Sequence, residues 1–138
     1  MTRRAFILAV FLAGFCQLTG TAHAATANEV VRDAIQRQRV LRVRYAGHMR
    51  MIEPHAIGIT TGGHRAVLAW QIEGGSRSDP PSGWRTFLLE DISEAALTVR
   101  GFTRRPNYSG EKAGLHSIEV EVTPSENAAT NPTATSRD

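Results

Sequence analysis

The feature that most limits this chain is a change of period at Val40. Before it, Ala27, Val30, Val31, Ala34 and Ile35 recur at i, i+3, i+4, i+7 and i+8. That spacing lays one apolar stripe along a helix over residues 26–38. Thr26, with Glu29 three residues on, reads as a capping box at its start. Arg32, Asp33, Gln36 and Arg37 take the wet side. After Val40 the pattern alternates. Leu41, Val43 and Tyr45 are separated by Arg42 and Arg44, the signature of a half-buried strand. So short a helix is marginal alone in water and needs the strands to pack on.

The alternation continues in short segments. A turn at 46–48 leads to a strand at 49–53, closed by Pro54, which marks an edge or a bend. Residues 56–60 continue extended, and Thr61-Gly62-Gly63 turns the chain. Residues 65–72 hold Val67, Leu68, Ala69, Trp70 and Ile72, the most apolar strand and the expected centre of the sheet. Residues 74–83, rich in Gly, Ser and Pro, read as a long loop. Strands follow at 84–89, 96–100 and 117–122. Many short strands at regular spacing predict a mostly β domain: a small antiparallel barrel with one N-terminal amphipathic helix capping an end. With 138 residues there is room for one such domain.

The two ends read differently from the middle. Residues 1–24 begin Met-Thr-Arg-Arg, run apolar from Ala5 to Phe15 and finish Ala22-His23-Ala24. A basic start, an apolar core and an A-x-A site predict a signal peptide cleaved near Ala24, and so a periplasmic or secreted protein. The apolar run is shorter than the roughly 20 residues a membrane span needs, so no stable insertion is expected after cleavage. Residues 124–138 lack large apolar side chains and read as a disordered tail. The globular domain is therefore expected over 25–123. Cys16, the one cysteine, would leave with the leader. So would Arg3 and Arg4, which turns a formal charge of +3 into a nearly neutral chain. What remains is a cluster of Arg37, Arg39, Arg42 and Arg44, able to form a basic patch if they share a face.

The ordered series Tyr45, Arg50, Pro54, Arg85, Phe87 and Ile92 resembles the WYL domain family over about residues 30–100. The family pattern is an aromatic-ended strand, an Arg-x-x-x-Pro strand, a Trp-Tyr-Leu strand and a closing Arg-x-Phe-x-Leu-x-x-Ile strand. The resemblance implies an SH3-type, Sm-like β-barrel with a leading helix. It also implies a ligand-sensing role, in a family whose members usually follow a DNA-binding helix-turn-helix and bind a nucleotide or nucleic acid. This chain departs from the pattern. Arg65-Ala66-Val67 stands at the naming triplet, Trp70 takes the second aromatic position of that strand, and Asp91 stands where an Arg commonly precedes the final Ile.

The candidate ligand-binding residues are Arg85, Arg65, Arg50, Trp70 and Tyr45. The resemblance puts the residue matching Arg85 on the ligand-binding face. A guanidinium beside Trp84 and Phe87 can also grip a phosphate or carboxylate in a bidentate fork. No catalytic set is legible: there is no Gly-x-Ser-x-Gly elbow, no phosphate-cradling Gly loop before a helix, and no cofactor motif. His48, His55, His64 and His116 lack the tight spacing of a zinc site. The expectation is an exported, non-enzymatic binding module, acting on a small anionic ligand or a protein partner. Two other readings stand beside it. One is a nucleotide- or nucleic-acid-binding regulatory domain, the other a structural module that pairs by strand addition at an open sheet edge.

Overall fold

Thr26 opens helix α1 (Ala27–Arg37) with the capping box the sequence predicts. Its backbone N–H and its hydroxyl both donate to Glu29 Oε2, at 2.7 and 2.9 Å, and Glu29 N–H donates back to Thr26 Oγ1. The helix stops at Gln38, whose left-handed backbone (φ 51°) turns its N–H onto the carbonyls of Ala34 and Ile35. Val31, Ala34 and Ile35 are fully buried. The computed structural model describes residues 25–75 and 82–124. The expected signal peptide at 1–24, most of the expected loop at 74–83 and all but the first residue of the expected tail at 124–138 lie outside them.

Six strands follow: β1 (Arg39–Tyr45), β2 (His48–Thr60), β3 (Arg65–Gly74), β4 (Gly83–Leu88), β5 (Ile92–Gly101) and β6 (Leu115–Glu121). Ala46 and Gly47, both at positive φ (49° and 78°), make the tight turn between β1 and β2. That is the backbone a two-residue hairpin requires. All pairings are antiparallel, in the order β4-β3-β2-β1-β5, with β6 added on β2.

Residues 49–53 and 56–60 form one strand rather than two. Pro54 marks a bend inside it, where the register against β3 shifts between Pro54 and Ala56. The same point is where β2 changes partners. Its last pair with β1 is Leu41↔Ile52, and its first with β6 is Ala56↔Glu121. A proline, which has no N–H to donate, falls in that gap. The hub of the sheet is thus β2, and not the more apolar β3.

The expected barrel is not closed. β4 and β5 stand at the two ends of the strand order and do not pair. Closure needs the end strands to meet, whereas here the last strand goes back to the middle one.

Alternation divides the side chains between two faces. On the helix face, Leu41, Val43, Ile52, Ile57, Val67, Ala69 and Phe87 pack with Val31, Ala34 and Ile35. On the second face, Ala56, Ala66 and Leu68 pack with Tyr108 and Leu115, beside half-buried Trp84 and Leu88. Tyr108 comes from residues 102–114, an irregular segment with one 3-10 turn (Glu111–Ala113) that crosses this face between β5 and β6.

Among the described glycines, Gly74 leaves the least room for a side chain. Its φ is +136°, and an added Cβ would lie 2.6 Å from Met49 O and 2.7 Å from Arg50 Cα. Gly47 also has positive φ but opens onto free space. Gly74→Ala is therefore expected to cost about 3 kcal/mol, combining backbone strain with a clash, whereas Gly47→Ala costs about 1 kcal/mol from conformation alone. Urea denaturation of the two variants measures the difference.

Candidate functional site

The helix face gathers most of the WYL-like series at one end. β1 delivers Tyr45, β2 Arg50, β3 Gln71, β4 Arg85 and Phe87, and β5 Ile92. Cross-strand register brings them together: Val43↔Arg50, Ala69↔Arg85, Ile52↔Gln71 and Tyr45↔Ile92. Tyr45 meets Phe87 edge-on, with ring centroids 5.0 Å apart. The Arg50 guanidinium sits 5.6 Å from the Tyr45 ring and 5.8 Å from that of Phe87. Five of the six positions in the series therefore converge, and the sixth, Pro54, is the bend.

Arg50 is the unusual member. It is only 9% exposed, and its Nη1 donates to the neutral amide oxygen of Gln71 at 3.0 Å. Among the described residues it has no carboxylate partner, and its buried Nε has no acceptor. Burial, and then the neighbouring charge of Arg85, press its pKa down; Tyr45 opposes them. Taking a guanidinium out of water costs several kcal/mol unless it is paired. Contact with two ring faces returns about 2 kcal/mol at most. The cluster thus holds two cations together, one of them half-satisfied, in a frame of rings. An anion arriving there meets a preset donor and supplies the missing counter-charge.

Arg65 and Trp70 are placed elsewhere. Arg65 stands at the opposite end of β3 from Gln71, six residues or about 20 Å along the strand. It forks onto Glu119, with Nε 2.9 Å from Oε1, and Arg32 of the helix reaches the same carboxylate at 3.1 Å. The Arg65 hydrogen bond leads in holding the Glu119 carboxyl below its usual range. Because this triad is exposed, it is worth no more than about 1 kcal/mol per pair. Trp70 lies on the second face, under the Arg105 guanidinium at 4.2 Å and edge-on to Trp84. Of the four arginines of the expected basic patch, Arg37, Arg39 and Arg44 are engaged within the chain, and Arg42 is exposed on β1. Arg37 pairs with Asp33, Arg44 with Glu94, and Arg39 donates to the carbonyl of Val99.

The second face carries a polar network that sequence patterning missed. His55 is fully buried, with Nδ1 2.8 Å from the carbonyl of Glu53. The backbone N–H of Arg105 donates to Nε2 at 3.1 Å. Nε2 is therefore an acceptor, and the ring is neutral with its proton on Nδ1. Burial is the main cause lowering its pKa. The side chain of Arg105 forks onto the nearly buried Glu53 at 2.7 and 3.3 Å. Tyr108 donates to Glu121 Oε2 at 3.0 Å, and burial raises its pKa. Around His55 stand Trp84, Phe102 and Tyr108, at 4.8 to 5.3 Å between centroids. The one available signal was Glu53-Pro54-His55 inside an otherwise apolar strand. Among the described residues no His, Cys, Asp and Glu side chains cluster in a way that could hold a metal ion.

A scan against family models finds no match, and no curated protein matches the chain. Among solved structures, the fold is similar to part of Proteasome accessory factor B/C (PafBC) of Arthrobacter aurescens. The TM-score is 0.53 at 15% identity, over 64% of this chain and 14% of that one. At that identity the likeness is one of fold, and this chain corresponds to a small part of the longer protein.

The two arginine environments predict opposite mutational behaviour. Arg50→Met removes a buried charge that lacks a carboxylate, so stability is expected to hold or rise by about 1 kcal/mol. Arg105→Met strands Glu53 and is expected to cost about 2 kcal/mol. Chemical denaturation of both variants at neutral pH tests the pair.

Proposed function

We propose that this chain is an exported, non-enzymatic binding module that takes a small anionic ligand on the helix face, through Arg50 and Arg85. The observation that carries the reading is Arg50: an arginine only 9% exposed, beside a second one, with a neutral amide where a structural pair would have a carboxylate. Tyr45 and Phe87 fix its position, so little ordering is left for binding to cost. The WYL-like series supports a sensing role, and the fold shared with part of PafBC is a likeness of architecture beside it. Export rests on the leader at 1–24.

A small anion fits better than a nucleic-acid backbone. A strand of phosphates needs a continuous basic track, and here Arg37, Arg44 and Arg65 are already engaged by carboxylates. Isothermal titration with pyrophosphate, a mononucleotide and a short oligonucleotide tests the choice. The two small anions are expected to bind. Arg85→Ala and Arg50→Met each weaken them at least tenfold, while Arg65→Ala leaves them within about twofold. Oligonucleotide binding that falls steeply with salt and depends on Arg65 would move the assignment to nucleic acid.

A further inference from the structure

We propose that residues 102–114 form an acid-released strap over the second face of the sheet, with the buried His55 as its latch. The strap lacks a ladder of its own. Phe102 anchors its start, donating its N–H to the carbonyl of Gln38 and packing into the helix-face core. Beyond that anchor, its polar ties to the sheet are the N–H of Arg105 on His55 Nε2, the Arg105 fork on Glu53, and the Tyr108 hydroxyl on Glu121. Beneath it lie Leu68 and Trp84. A cavity of about 160 Å³ at the seam is lined by those two and by Asn107, Ser109 and Ala113 of the strap.

The latch works through one atom. In the neutral ring Nε2 accepts from Arg105 N–H; a proton on Nε2 sets donor against donor at 3.1 Å. Nδ1 cannot take over the acceptor role, because it faces the carbonyl of Glu53.

The surroundings do not stabilise an imidazolium. From the strap, Arg104 and Arg105 face the ring as cations, and Tyr108 stands beside it with its hydroxyl committed to Glu121 of β6. From β2 comes Glu53, whose carboxylate is shared with Arg105. Trp84 of β4 and Phe102 present only rings.

The sign follows from linkage. In the closed strap the ring's pKa lies below the 6.5 of a free histidine. Closure is therefore fully favoured above pH 6.5 and weakens as pH falls from 6.5 toward the closed-state value. The strap opens before the sheet because no strand pairing of the sheet runs through residues 102–114. Opening bares Leu68, Trp84 and Trp70 as an apolar surface.

Amide hydrogen exchange on the full chain, followed by NMR from pH 7.5 to 4.5, tests this. The protection factors of Arg105 and Tyr108 are expected to fall about tenfold per pH unit below 6.5, while those of Ile52 and Val67 hold. Strap protection that stays flat, or that falls together with the sheet, overturns the proposal. His55→Gln offers an acceptor that never charges, so its strap is expected to show no pH slope; a retained slope overturns the latch. Should that variant not fold, the ring signals of His55 in the unaltered chain decide. Protonation in step with strap opening supports the latch, and a ring still neutral in the opened strap overturns it.

Discussion

A strand has two edges, and β2 has three partners. That constraint organises the structure. One edge of β2 is filled by β3 along most of its length, so β1 and β6 must share the other. The handover falls at residues 53–55, where a proline interrupts donation and the register slips. Each face takes its character from this bend. Before it, β2 presents Arg50 and Ile52 to the helix face. At it, Glu53 and His55 turn onto the second face, where the strap meets them. A straight β2 would leave β6 and the strap without a place.

Much of this was legible in the residues. The helix and its capping box follow from Thr26, Glu29 and the apolar spacing, and the structure repeats them bond for bond. Alternation in β1 and β4 assigned the faces correctly: Phe87 joins one core and Trp84 and Leu88 the other. These are local properties, set by side-chain direction along a few residues. Closure and pairing order are not local. Nothing within residues 117–122 says that they return to β2, so regular strand spacing suggested a barrel where the sheet stays open.

The site was legible to the same extent. Tyr45, Arg50, Arg85 and Phe87 could be named from their order along the chain, and register then brought them together. Arg65 could not be sorted from them, because its partner Glu119 is 54 residues away and only the fold reveals it. The second-face network escaped for the same reason. Glu53 and Arg105 are 52 residues apart, and the strap that joins them has no period to detect. An acid and a histidine flanking a proline inside an apolar strand were the trace it left.

The two faces treat buried charge in opposite ways, and that contrast is what favours the helix face as the proposed binding site. On the second face, the acceptors and donors of Glu53, His55 and Arg105 are matched to one another, so the network serves the fold as it stands. On the helix face, Arg50 is desolvated against a neutral amide and next to a like charge. A purely structural position would be better served there by an apolar side chain of similar size. Retaining a guanidinium in that setting makes physical sense if its counter-charge comes from outside the chain. Binding then restores what folding withheld: the ligand's charge offsets the desolvation that Arg50 already bears, and its approach also eases the repulsion from Arg85. An anion bound there would raise the stability of the folded chain by an amount set by its concentration and affinity.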